Sequence, residues 1–193
     1  MRKVLFVSLG CDKNLADSEE MLGMLVGHGY EITDEETQAE VIVINTCAFI
    51  HDAKEESVNT ILEMAEYKKA GTAKALLVTG CLAQRYQKEI IEEIPEVDAV
   101  LGTTSFDEIL KALDQVYEGE RYLEFKDTDY LPKTSGKRVI TTGGYFDYLK
   151  IAEGCDKRCT YCIIPKLRGN YRSVPMEELI AQAEYMAEKA FGN

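Results

Sequence analysis

Three short apolar runs each end in a cysteine: VLFVSLGC at residues 4–11, VIVINTC at 41–47 and ALLVTGC at 75–81. A continuous apolar run has no polar side to turn to water, so a strand built from it has to be covered on both faces. Each run leads into a stretch with helical spacing. Residues 14–27 place Met21, Leu22, Leu25 and Val26 on one face, and residues 52–69 do the same with Val58, Ile61, Leu62 and Ala65. Asp52 is a candidate N-cap with Glu55 three residues on. Helices near 84–93 and 106–117 follow, the second after a strand at 97–101. Strands alternating with helices in this way predict an α/β fold, a parallel sheet layered between helices, over residues 1–116.

In a parallel sheet, every strand end that leads into a helix lies on one edge, the edge where such domains bind ligands. Cys11, Cys47 and Cys81 should therefore converge, although 36 and 34 residues separate them. Gly10 and Gly80 allow the chain to turn tightly beside two of the cysteines. The N-termini of the following helices favour thiolate over thiol. A lone cysteine at a strand end is usually a small core residue. Three at equivalent places point to a shared metal or cluster site.

Six cysteines in 193 residues suit metal ligation or redox chemistry better than structural disulfides if the compartment is reducing. No apolar run approaches the roughly 18 residues that span a bilayer, and MRKVLF passes straight into a strand pattern. The expectation is a cytoplasmic protein without membrane contact. Residues 1–136 carry 13 Lys and Arg against 27 Asp and Glu, while residues 137–172 carry 8 against 3. The first part lacks the clustered cations that hold a nucleic-acid backbone, so direct nucleic-acid binding is not expected of it. The basic stretch has two readings, as cations for the anionic groups of a cofactor or substrate, or as plain surface charge.

Residues 117–146 break the strand and helix alternation. Pro132, Ser135, Gly136 and the pair Gly143 and Gly144 mark them as a connector, with 138–141 extended. A new unit then starts, with a strand at 148–152, a loop at 154–172 and a helix at 175–190 with Pro175 near its first turn. The loop contains GCDKRCTYC, in which Cys155, Cys159 and Cys162 are spaced Cys-x3-Cys-x2-Cys. Soft thiolates at this spacing wrap one compact centre, an iron–sulfur cluster or zinc. Structural zinc takes four ligands, and no fourth cysteine or histidine lies nearby. Three ligands to a four-iron cluster leave one iron open for a substrate or cofactor. His28 and His51 sit at helix ends and read as surface or capping residues. Asn14 and Asp17 are explained as well by helix capping as by orientation of the site at Cys11.

Cys-x3-Cys-x2-Cys with an aromatic residue, Tyr161, before the last cysteine resembles the signature of radical S-adenosylmethionine (SAM) enzymes. The upstream domain is similar to the N-terminal domain of the methylthiotransferases. SLGCDKNLADSE, INTCAFIHDAKEES, GCLAQRY, LKIAEGCDKRCTYCIIP and LRGNYRS resemble the ribosomal-protein aspartate methylthiotransferases more closely than the tRNA-modifying branch. Asp12, Lys13 and Leu15 are among the residues that choose the branch. The resemblance covers residues 3–190.

The resemblance implies two 4Fe-4S clusters and SAM as cofactors. Cys155, Cys159 and Cys162 would hold the cluster that reduces SAM to a 5′-deoxyadenosyl radical, with Tyr161 against the adenine side. Cys11, Cys47 and Cys81 would hold an auxiliary cluster that presents sulfur to the substrate, an aspartate β-carbon in a ribosomal small-subunit protein. A sulfur donor and an external electron donor are implied as partners. Arg168 and Arg172 are candidates to approach SAM or substrate carboxylates. Family members continue through a partial (β/α) barrel, so residues 147–193 would be only its first βα unit, inactive alone. Methylthiolation of tRNA adenosine and a non-catalytic iron–sulfur or zinc protein are the alternatives.

Overall fold

A computed structural model of the chain describes residues 2–133, 137–143 and 146–191. The connector residues Ser135, Gly136 and Gly144 lie outside them. Strands β1 (Lys3–Ser8), β2 (Glu31–Ile32), β3 (Val41–Thr46), β4 (Ala75–Gly80), β5 (Ala99–Leu101) and β6 (Tyr122–Glu124) form one sheet. The order is β2-β1-β3-β4-β5-β6, and every pairing is parallel. The expected α/β fold with a parallel sheet is the one observed.

The side-chain period of two sorts each apolar strand between two cores. Val41, Val43, Ala75 and Leu77 face Met21 and Leu25 of α1 (Asp12–Gly27) and Ile109 and Leu113 of α5 (Ile109–Tyr117). Ile42, Ile44, Leu76 and Val78 face the opposite layer. There they meet Ile61, Met64 and Ala65 of α2 (His51–Lys69), Leu82 of α3 (Cys81–Tyr86) and Ile90 of α4 (Lys88–Glu93). Among the described residues, no helix is long and apolar enough to cross a membrane.

Several local expectations change. The helix expected at 84–93 is two short helices, because Gln87 takes a left-handed φ of 44° between them. Asp52 is not the N-cap of α2. Ile50 is, without a side-chain cap bond, and Asp52 lies inside the first turn, where its charge still complements the helix N-terminus. Val26, Val58 and Leu62 fall outside the buried stripe and are exposed, since one helix face covers little more than about 100°. Residues 122–124, in the segment read as connector, extend the sheet as β6.

Beyond the connector the strand expected at 148–152 pairs only at β7 (Ala152–Glu153), antiparallel to β8 (Arg172–Ser173). The intervening segment is not all loop, since it contains α6 (Ile164–Arg168), with Pro165 in its first turn where a missing N–H costs nothing. The last helix is α7 (Met176–Phe191). α6 joins the two parts of the chain. Its Leu167 is 2% exposed and belongs to the core cluster that includes Ile42, Leu76 and Leu82. Leu167→Ala should therefore cost about 2–5 kcal/mol of unfolding free energy. Ile180→Ala, on the exposed part of α7, should stay within about 0.5 kcal/mol. Denaturant unfolding reads both, and a neutral Leu167→Ala would mean that α6 is not docked in this core.

Candidate functional site

Register brings the strand ends level. Ser8 pairs with Asn45, Asn45 with Thr79 and Thr46 with Gly80. Cys47 and Cys81 each follow one of the last paired residues, and Cys11 is the N-cap of α1 just beyond β1. β1 and β3 flank the point where strand order reverses, the place where open α/β sheets leave a crevice. The backbone is tightly packed there. A Cβ on Gly10, whose φ is +98°, would stand 2.8 Å from Cys47 Cβ and 3.0 Å from its Sγ. A Cβ on Gly80, φ +91°, would stand 2.3 Å from Asn45 Oδ1 and 2.6 Å from the Thr46 carbonyl. Only glycine fits either position. All three cysteines are free thiols, Cys47 and Cys81 buried and Cys11 exposed.

Asn14 is the hub of this edge. It lies fully buried inside α1 and does not cap it. Its Nδ2 donates to the carbonyls of Leu9 at 2.8 Å and Thr46 at 2.9 Å, the chain just before Gly10 and Cys47. Its Oδ1 accepts from Arg168 Nη2, and the Cys81 Sγ donates to the same oxygen at 3.9 Å. Asn45 Nδ2 donates back to the Asn14 carbonyl at 2.9 Å. Ser57 Oγ fixes Cys47 from the other side, accepting from its N–H at 3.0 Å and donating to its carbonyl at 2.9 Å. The choice between capping and orientation is thereby decided for Asn14: it holds two of the three cysteine-bearing strand ends together.

Arg168 is 1% exposed and is the largest fully buried side chain among the described residues. Its Nη1 pairs with Asp17 at 3.1 Å and Glu153 at 2.8 Å. Lys150 pairs with the same two carboxylates, and Lys13, beside Cys11, reaches Glu153 at 3.6 Å and donates to the Ala152 carbonyl at 2.7 Å. Burial disfavours the Glu153 carboxylate, but Arg168, Lys150 and Lys13 outweigh it and hold the group at about 2. Burial raises the Cys81 thiol, against the lowering effect of Arg168, while Cys47 and Cys11 add to the rise. Arg172 is also engaged internally, donating to the carbonyls of Arg168, Asn170 and Tyr130. Arg168 is taken up by internal partners, whereas the buried Arg172 Nε has no hydrogen-bond partner.

Part of the basic stretch is turned inward. Arg138 meets Glu19 at 3.3 Å and Asp147 at 2.7 Å, both within buried surroundings. Together with Lys150 and Arg168 it answers the acidic face of α1, so these three cations serve the protein's own carboxylates, while Lys157, Arg158 and Lys166 are exposed, as plain surface charge would be. The sequence pointed to none of this except through charged residues inside otherwise apolar stretches, such as Lys150 and Glu153 in LKIAEGC.

The second cysteine set lies on the loop between β7 and α6. The Cys155 N–H donates to the Gly169 carbonyl at 3.1 Å and the Cys162 N–H to the Cys159 carbonyl at 3.0 Å, which closes the loop on itself. Cys155 and Cys162 are half-buried, Cys159 is exposed, and Tyr161 is 91% exposed with its ring free. His28 Nδ1 lies 3.0 Å from the Met24 carbonyl and His51 starts α2. Among the described residues, no three His, Cys, Asp or Glu side chains are placed to hold one metal ion. A single zinc draws its thiolates to about 2.3 Å and takes four ligands. Three cysteine thiols at one sheet edge are soft donors of the kind that hold zinc or an iron–sulfur group.

The family model described as Uncharacterized protein family UPF0004 matches residues 3–102. The chain is 64% identical over 186 residues to a protein of Lachnoclostridium phytofermentans named Ribosomal protein uS12 methylthiotransferase RimO, an alignment covering 96% of this chain and 42% of that one. Proteins of the same name from Acetivibrio thermocellus and Clostridioides difficile are 51% identical over 195 residues and 48% over 188. Those alignments cover 97% of this chain in both cases, and 43% and 42% of the relatives. The chain thus spans less than half the length of the curated relatives it matches.

Asn14→Ala would leave the Leu9 and Thr46 carbonyls without their donor and remove an acceptor from Arg168. Each buried group so stranded costs about 1–3 kcal/mol. The variant should unfold at clearly lower denaturant and its Cys47 and Cys81 should react faster with a maleimide. Unchanged stability and labelling would contradict the clamp.

Proposed function

The chain belongs to the Uncharacterized protein family UPF0004, and on that premise we propose that it is the N-terminal part of a methylthiotransferase acting on an aspartate of ribosomal protein uS12. In this reading residues 1–116 form the auxiliary-cluster domain, 117–146 the connector and 147–193 the start of a radical SAM domain. Cys11, Cys47 and Cys81 hold one 4Fe-4S cluster. Cys155, Cys159 and Cys162 hold the other, with SAM beside it and Tyr161 at the adenine side. When bound, these groups supply one-electron reduction of SAM and sulfur and methyl groups for transfer, chemistry that acid–base side chains lack.

The protein's own residues do the positioning. Asn14 and Ser57 fix the chain around Cys11 and Cys47, and Gly10 and Gly80 let those strand ends approach closely. Arg168 ties the edge to the strand before Cys155 through Glu153. Exposed Cys159 and Tyr161 leave the second loop accessible to a cofactor. A sulfur donor and an electron donor complete the partners, and the setting is the cytoplasm. What supports the reading is that Cys11, Cys47 and Cys81 each follow the end of one of three neighbouring parallel strands, an edge joined by a buried arginine to a Cys-x3-Cys-x2-Cys loop. The acidic N-terminal domain weighs for a protein substrate over tRNA.

The test incubates the full-length, anaerobically reconstituted protein with dithionite, SAM and small ribosomal subunits, then analyses uS12 and bulk tRNA by mass spectrometry. Methylthio-aspartate in uS12 is expected, together with 5′-deoxyadenosine, and both should disappear when Cys155, Cys159 and Cys162 are replaced by alanine. Methylthio-adenosine in tRNA with unmodified uS12 would assign the other branch. No 5′-deoxyadenosine would contradict SAM chemistry altogether.

A further inference from the structure

A guanidinium removed from water requires anionic partners, and their number can be counted. Arg168, Lys150 and Lys13 converge on Asp17 and Glu153, three cations on two carboxylates. Lys13 is 41% exposed at its side chain, so away from water two cations, Arg168 and Lys150, stand against two carboxylates. The cluster lies against the cysteine edge: Asn14 Oδ1 accepts from Arg168 and from the Cys81 thiol alike. Of the two buried cations it is Arg168 that reaches this edge, and a fixed guanidinium beside three thiols suits an occupant whose net charge is negative, as three thiolates around an iron–sulfur core would be.

We infer that Arg168 is a positioning residue that raises the reduction potential of the group held by Cys11, Cys47 and Cys81. The inference rests on the proposed function. Reduction adds one electron and no proton, so it makes an anionic group more negative, and a fixed neighbouring cation favours that state. The effect is strong because both partners are away from water, where charges interact through a low effective dielectric. Net charge, hydrogen bonds to sulfur and exposure are the levers that set such potentials, and Arg168 acts on the first. Asp17 acts in the opposite sense, since it neutralises part of the same cation. Because Arg168 ends the helix that follows the Cys155–Cys162 loop, one side chain contributes both to docking of that loop and to the potential at the first edge.

The experiment uses the full chain with Cys155, Cys159 and Cys162 replaced by alanine, so that the remaining iron reports on the first cysteine set. Stepwise reduction with dithionite, followed by electron paramagnetic resonance, gives the midpoint potential, and iron content is measured on each sample. Arg168→Gln should shift the midpoint to lower potential, Asp17→Asn should shift it to higher potential, and Arg168→Lys should return it toward the parent. General loosening of the site would move both neutral variants the same way. A midpoint unchanged in Arg168→Gln at equal iron content, or shifts of the same sign in Arg168→Gln and Asp17→Asn, overturns the inference. If Arg168→Gln does not load iron, Asp17→Asn decides alone: an upward shift supports the inference and none overturns it. A parent chain with no iron at the first set overturns the functional reading and this inference with it, whereas iron bound with a midpoint indifferent to Arg168 overturns the inference only.

Discussion

The parallel register of β1, β3 and β4 is the constraint on which the rest depends. Five to six consecutive residue pairs lock each strand to its neighbour, so the ends at Ser8, Thr46 and Gly80 cannot slide independently. A slip of one residue would exchange the two core faces, placing Val41 and Val43 where Ile42 and Ile44 now pack. Core packing therefore fixes the longitudinal position of the cysteines to within a residue. Hydrophobic burial far from the edge, worth about 1.5–3 kcal/mol for each large side chain, thus positions the cysteines.

Local groups then refine what register provides. Asn14 joins two strand ends through one side-chain amide, and glycine at positions 10 and 80 allows backbones to approach where a Cβ would collide. Attachment of the second cysteine loop follows different physics. It docks through Leu167, and through buried carboxylates on α1 that meet arginine and lysine from residues 138–168. A buried ion pair adds little net stability but is costly to break from one side, by about 3–5 kcal/mol. Such pairs suit a junction that has to adopt one geometry.

The apolar runs made the sheet legible, because a strand of continuous Val, Ile and Leu has few other ways to be covered, and the place of Cys11, Cys47 and Cys81 after neighbouring strand ends followed from topology. The break at Gln87 was not legible, since a left-handed residue other than glycine leaves no compositional mark. β2, β6 and β7 have two or three residues each, too few for a period to register. The charge asymmetry was visible, but its meaning was not. Asp17, Glu19 and Glu20 in helical spacing look like a solvated face, and all three are buried. Only the tertiary fold brings Arg138, Lys150 and Arg168, more than a hundred residues away, onto that face.

The central claim is that the sheet edge and the later loop form two separate sulfur-ligand sets. Iron and acid-labile sulfide counted on the anaerobically reconstituted full chain test it most directly, in the parent and with each cysteine triplet replaced in turn. The account predicts roughly eight irons in the parent, as for two four-iron clusters, with about half lost when Cys11, Cys47 and Cys81 become alanine and the other half lost with Cys155, Cys159 and Cys162. Replacing the first triplet without losing any iron, or a parent that binds a single zinc instead, would contradict it.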